Sequence, residues 1–191
     1  GINPRPKSGK VPVWFGGHAE QTLTRVAKHG DGFMPNRWPP GDDVLKVFER
    51  LHGMIREAGR KPEDVDYLMS PHLPWDHIGW NTQLIDGRWV PTFPNAKHII
   101  SRTEYDYWDA AYRRGDPSIH CVSFEDSVLP VKKAEQVVLV DDDYRFDDGI
   151  SLEPCFGHSA GHVVVNISDQ GVRGAVTGDV IHRQIQLRFP S

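Results

Sequence analysis

The segment His72-Leu73-Pro74-Trp75-Asp76-His77 constrains the fold more than any other stretch of the chain. It holds two histidines and a carboxylate, and the apolar run Tyr67-Leu68-Met69 leads into it. This order suits a strand end that opens into a short turn, where imidazole nitrogens and a carboxylate can converge on one cation. Ligands placed directly after a strand are well positioned for a site.

Ahead of this segment, residues 11–15 read as a short strand stopped by Gly16-Gly17, and Leu23, Val26 and Ala27 share one face of a helix that Gly30 would end. Residues 32–34 give a brief strand and residues 36–41 a proline-rich loop. Asp42 or Asp43 is the expected N-cap of a helix with Val44, Val47, Phe48, Leu51 and Ile55 at helical spacing, closed by Gly59. This is a βαβα unit. The character changes after Lys61-Pro62: residues 62–64 form a short turn and residues 67–69 a strand, and residues 78–95 read as loop. A strand is expected over 97–101, a helix over 103–114 capped by Thr103, and a helix over 118–129. Residues 137–140, 150–155, 162–168 and 174–177 are β-rich runs of an antiparallel or mixed sheet. The fold class is α/β.

Charge and composition narrow the partners. With 22 Lys+Arg against 26 Asp+Glu, the chain announces no basic face for nucleic acid and no polybasic anchor for a membrane, so a small-molecule substrate is expected. No apolar stretch approaches the ~18 residues of a membrane span and no signal-peptide pattern opens the chain, so the expected location is cytoplasmic. Cys121 and Cys155 lie far apart without a CxxC pattern and read as free thiols.

Two further pieces extend the ligand pattern. Gly157-His158-Ser159-Ala160-Gly161-His162 lies between two expected strands, where glycines let the backbone bend and turn a histidine inward. Gly178-Asp179 follows another strand and offers a carboxylate that could bridge two cations.

From about residue 62 to residue 191 this series resembles the metallo-β-lactamase-fold hydrolases, with their HxHxDH segment, a GHTxGH-like turn and a GD at a strand end. Trp80-Asn81-Thr82 and Ile181-His182-Arg183-Gln184-Ile185-Gln186 look like a lactonase- and phosphotriesterase-related branch. The resemblance implies an αββα sandwich, here partial, holding one or two zinc ions. His72 and His158 would serve the first site, Asp76 and His77 the second, and Asp179 both. It implies hydrolysis of a lactone, ester or phosphotriester by zinc-bound hydroxide, its pKa lowered to about 7, with Asp76 as the catalytic group that orients the water or takes its proton. Pro74 stands where the family has its second histidine, and a proline offers no lone pair, so weaker zinc binding is expected at the first site. The chain ends at Phe189-Pro190-Ser191, ahead of the family's final histidine, so the second site is also expected to lack a ligand. His162 or His182 are candidates to substitute, against the plainer expectation that each packs or meets solvent.

Lys10-Val11-Pro12-Val13-Trp14-Phe15-Gly16-Gly17-His18, Gly30-Asp31-Gly32-Phe33 and Ala58-Gly59-Arg60-Lys61-Pro62 resemble the C-terminal part of luciferase-like flavin- or F420-dependent oxidoreductases. Those are (β/α)8 barrels with Gly-Gly near the cofactor phosphate. The expectation is a chimeric or truncated chain: residues 1–61 a luciferase-like fragment of (β/α)8 type, residues 62–191 an incomplete metallo-β-lactamase domain. Strand edges left open would favour a homodimer. The alternatives to a hydrolase are an oxidoreductase fragment and an inactive module.

Three weaker features complete the reading. Asp141-Asp142-Asp143 with Asp147-Asp148 lacks the EF-hand spacing and reads as a solvated turn. Tyr105, Tyr107, Trp108 and Tyr112 fit core or pocket wall. Ser159 lacks a GxSxG elbow and is not expected to act as a nucleophile.

Overall fold

The computed structural model describes residues 14–16, 20–29, 32–34, 42–57, 59, 61–169 and 171–180, which fall into two compact units separated between Val65 and Asp66. Residues 11–13, Gly30 as a helix end, the loop at 36–41, and His182 with the rest of 181–191 lie outside the described residues.

In the N-terminal unit, β1 (Trp14–Gly16) and β2 (Gly32–Met34) pair in parallel, Trp14 opposite Gly32 and Gly16 opposite Met34. Parallel neighbours need a crossover, and α1 (Glu20–His29) supplies it. Leu23, Val26 and Ala27 are buried, as their i, i+3, i+4 spacing predicts. They lie on the helix that packs with α2 (Asp42–Glu57), where Leu51 is buried. Gly59, at φ +72°, donates its N–H to Arg56 O (2.9 Å) and closes α2 in the left-handed conformation that glycine adopts without strain.

The C-terminal unit opens with β3 (Tyr67–Met69) and the short helix α3 (Trp75–Ile78), and a 3-10 turn over Gly79–Asn81 follows. The segment expected to be loop contains a hairpin instead: β4 (Thr82–Ile85) pairs with β5 (Arg88–Pro91) across Asp86 (φ 49°) and Gly87 (φ 72°). Two left-handed residues make the turn whose twist matches that of the strands, and Asp-Gly is its sequence signal.

β6 (Lys97–Ser101) runs without a loop into α4 (Arg102–Arg113). The cap is therefore the last strand residue, not Thr103: Ser101 Oγ accepts from Glu104 N (3.1 Å). Thr103 donates instead to Asp142 Oδ2 (2.7 Å), and Ser101 Oγ donates to Asp142 Oδ1 (2.5 Å). The helix expected over 118–129 is two, α5 (Ile119–Ser127) and α6 (Leu129–Lys133). Pro130 explains the break, since it has no N–H for Asp126 O. Thr82 Oγ1 bonds that carbonyl from outside (2.8 Å).

β3, β6 and β7 (Val137–Val140) form a parallel sheet in that order. β8 (Ile150–Pro154), β9 (Val163–Asp169) and β10 (Val172–Val176) form an antiparallel one. Alternation along β6 sends Ile99 and Ile100 to opposite faces. Ile100 packs with Leu73, Ile78, Tyr105, Phe124 and Val128 of the helical layer. Ile99 packs with Val140, Leu152, Val163 and Val165 of the second sheet. The described residues of the C-terminal unit thus stack as helices, sheet, sheet, three layers of the expected four.

Asp142 serves α4, and Asp147 Oδ1 accepts from Gly149 N (2.8 Å) and Ile150 N (2.7 Å), so the acidic run is turn structure. Cys121 and Cys155 are free. No helix among the described residues is long and apolar enough to cross a membrane.

Candidate metal centre

Three segments at one edge of the C-terminal unit bring the candidate ligands together. His72 follows β3 and is fully buried, and its chain is pinned to the second sheet because Val163 N donates to Pro71 O (2.9 Å). Asp76 and His77 lie on α3, whose first turn is closed by His77 N donating to Pro74 O (3.0 Å). His158 stands in the turn between β8 and β9, and Asp179 in the 3-10 turn after β10.

Asp179 Oδ2 is the common point. It lies 3.6 Å from His72 Nε2, 3.4 Å from His77 Nε2 and 3.4 Å from His158 Nε2, and His77 Nε2 is 3.6 Å from Asp76 Oδ2. Two ligands of one tetrahedral zinc, each about 2.0–2.1 Å from the ion, stand about 3.3–3.4 Å apart. These separations therefore fit a cation held between donors. Two overlapping triads result, His72–His158–Asp179 and Asp76–His77–Asp179, with Asp179 in both. All five candidates named from the sequence are brought together.

Chemistry at His72 points the same way. Its ring lies 4.1 Å from that of His77, 4.6 Å from His162 and 4.9 Å from His158, centroid to centroid. Neither of its buried nitrogens has a hydrogen-bond partner. Burial above all, then the neighbouring His77 and His162 imidazoles, pushes its pKa down to about 3, against the pull of Asp179. At neutral pH it is an imidazole with a free lone pair, the form that binds a cation. An unpaired buried imidazole is costly in a protein interior, and coordination at Nε2 removes that cost.

His162 behaves differently. It is fully buried, and its Nε2 accepts the Asp179 N–H (3.2 Å). Through this nitrogen it packs against Asp179, the plainer of its two expectations. Burial first, then His158, lowers its pKa. Gly178 makes this contact possible: at φ +55°, a Cβ there would stand 2.7 Å from His162 Nε2 and 2.9 Å from Pro71 Cβ. Nothing in the Gly178-Asp179 pair as a sequence signals this contact.

A cavity of about 650 Å³ adjoins the ligands, and its lining includes Asp76, His158 and Asp179 as well as Trp75, Tyr107, Trp108 and Phe156. Tyr107 and Trp108 are thus pocket wall, while Tyr105 is core. Ser159 Oγ donates to Glu104 Oε2 (2.8 Å) and is not set up as a nucleophile.

Comparison with known proteins adds sequence relatives and fold neighbours. N-acyl homoserine lactonase from Bacillus cereus is 30% identical over 142 residues, covering 73% of this chain and 48% of that protein. N-acyl homoserine lactonase AttM from Rhizobium radiobacter is 34% identical over 99 residues, 52% of this chain and 33% of that protein. The chain spans about half or less of the length of these relatives. Hydrolase AbOPH of the beta lactamase superfamily superposes with TM-score 0.57 at 20% identity, covering 68% of this chain and 46% of that one. A Staphylococcus aureus protein described as a probable metal-dependent hydrolase gives 0.56 at 21%, covering 73% and 49%. The metallo-β-lactamase fold expected from the ligand series is therefore present. The luciferase-like monooxygenase family matches residues 2–77.

Proposed function

We propose that this chain carries the metal-binding part of a lactone hydrolase, with His72, His158 and Asp179 holding one zinc position and Asp76, His77 and Asp179 the other. The observation that carries the reading is the convergence of three imidazoles on Asp179 Oδ2 at 3.4–3.6 Å. A divalent ion bound there supplies a Lewis acid that acidifies water and polarises the substrate's carbonyl oxygen.

The chain's own residues do the rest. Asp76, half exposed at the cavity, orients the attacking water and takes its proton. Water adds to the lactone carbonyl, the ring C–O bond breaks, and the proton passes to the leaving alkoxide, giving a hydroxy acid. Asp179 is oriented through the hydrogen bond from its N–H to His162 and keeps its carboxylate between the two positions. Trp75, Tyr107, Trp108 and Phe156 give the substrate an apolar wall. The lactonase relatives favour lactones over the esters and phosphotriesters that the fold also suits.

Elemental analysis of the purified protein, followed by hydrolysis assays on an N-acyl homoserine lactone, an aryl ester and a phosphotriester, tests this reading. Bound zinc with lactone hydrolysis that a chelator abolishes is expected. Protein that binds no divalent ion sinks the proposal.

The match over residues 2–77 supports a second reading of residues 1–61, as a luciferase-like flavin or F420 oxidoreductase fragment joined to the hydrolase domain of residues 62–191. Absorbance or fluorescence change on adding either cofactor tests it. A folded protein inert on all of these substrates would favour an inactive chimeric module. The proposal includes a cytoplasmic location, in keeping with the free thiols, and a homodimer, which sedimentation equilibrium checks.

A further inference from the structure

Glu104 is the third residue of α4, and Ser101-Arg102-Thr103-Glu104 has the S-x-x-E form of a capping box, in which the glutamate reaches back to its own helix end. Its carboxylate bonds elsewhere. The residue is 1% exposed, and four neutral donors among the described residues surround its carboxylate. Oε1 accepts from Leu73 N (3.0 Å) and Trp108 Nε1 (2.8 Å), and Oε2 accepts from Ser159 Oγ (2.8 Å) and Gly161 N (2.8 Å). A carboxylate has about four lone-pair positions, so its accepting capacity is filled.

The placement of these donors matters. Leu73 follows His72 and Ser159 follows His158, two residues whose imidazoles face Asp179 Oδ2 from different loops. One buried group thus fastens both loops to the same helix. The fit is close: a Cβ on Gly161 would come within 2.1 Å of Glu104 N. Glu104 itself is held from the other side, since its N–H donates to Ser101 Oγ, which in turn donates to Asp142.

We propose that Glu104 is a positioning residue for the metal centre, a buried carboxylate that fixes the separation of the His72 and His158 loops and thereby pre-forms the His72–His158–Asp179 triad. The inference rests on the metal-hydrolase reading above. Hydrogen bonds of ionised carboxylates to backbone N–H groups are among the strong ones, and groups that orient ligands commonly govern metal affinity by an order of magnitude or more.

Glu104→Gln keeps the shape but turns an NH2 toward one pair of donors, one of which in either orientation is a backbone N–H that cannot reverse. Zinc affinity, measured by chelator competition, should fall about tenfold or more. The visible spectrum of the cobalt-loaded protein should also change, because the ligand geometry changes. A purely structural role would lower the denaturant midpoint of the metal-free protein and leave the affinity and the cobalt spectrum alone; that result overturns the inference. Ser159→Ala removes one of the four bonds and covers the case in which Glu104→Gln does not fold. Weakened zinc binding by this variant supports the proposal and unchanged binding refutes it. Wild-type protein that takes up no zinc removes the hydrolase reading and this one together, whereas tight wild-type binding matched by the variants removes this one alone.

Discussion

Pro74 occupies the N-cap of α3 at φ −63° and ψ 157°, the φ that its ring prefers. Its carbonyl still closes the first turn by accepting from His77 N. The residue therefore fits the backbone without strain, and what it removes from the site is a donor atom, not a fold element. Pro74→His is expected to leave the backbone intact and to raise zinc per chain, read by elemental analysis after titration; unchanged metal content would count against the site. His98 makes a different prediction. It is 2% exposed, its Nε2 has no hydrogen-bond partner, and burial pushes its pKa down to about 4 from 6.5. As pH falls through that window the unfolded chain takes up a proton that the folded chain refuses, so stability drops between about pH 6.5 and 4 and levels below it, by on the order of 3 kcal/mol. Denaturant midpoints of His98→Leu should fall less steeply across this window than those of the wild type. An identical slope would exclude His98 as a source.

The boundaries of α4 through α6 depend on side chains from other segments. Ser101 caps α4 while Thr103, two residues on, ties to Asp142. Ser101→Ala should cost about 1–2 kcal/mol, as loss of a cap does. Thr103→Ala, an exposed residue inside the helix, should cost less. Chemical denaturation of both variants checks the order, and the reverse order would return the cap to Thr103. The Asp86-Gly87 turn and the Pro130 break both had local signals in the sequence. The hairpin is masked in the sequence because Trp, Gly and Pro around it read as loop punctuation. The helix break is masked because apolar spacing runs through it, while the Asp126 carbonyl left without a helical partner is bonded by Thr82, 44 residues away.

At the scale of the C-terminal unit, the candidate site joins segments from both sheets and the helical layer, so metal binding there would be linked to folding. Zinc at a hundredfold excess over its Kd is expected to stabilise the native state by about 2.7 kcal/mol, with chelator reversing the shift in melting temperature. No shift would mean that the centre does not bind zinc in the folded state. The βαβα unit and the principal strands were legible in the order of residues, because hydrophobic periodicity is a local pattern; the five ligand candidates were named from short local clusters together with their resemblance to the metallo-β-lactamase-fold series. Local patterns do not say where an oxygen or a lone pair ends up. Folding alone decided that Asp179 Oδ2 would face three imidazoles, that His162 would bond the Asp179 N–H instead of joining them, and that Glu104 would leave a capping-box motif to serve two distant loops. Each of these contacts joins groups at least 17 residues apart, as for His162 and Asp179. Only the packing of the layers brings such groups within hydrogen-bond or ligand distance.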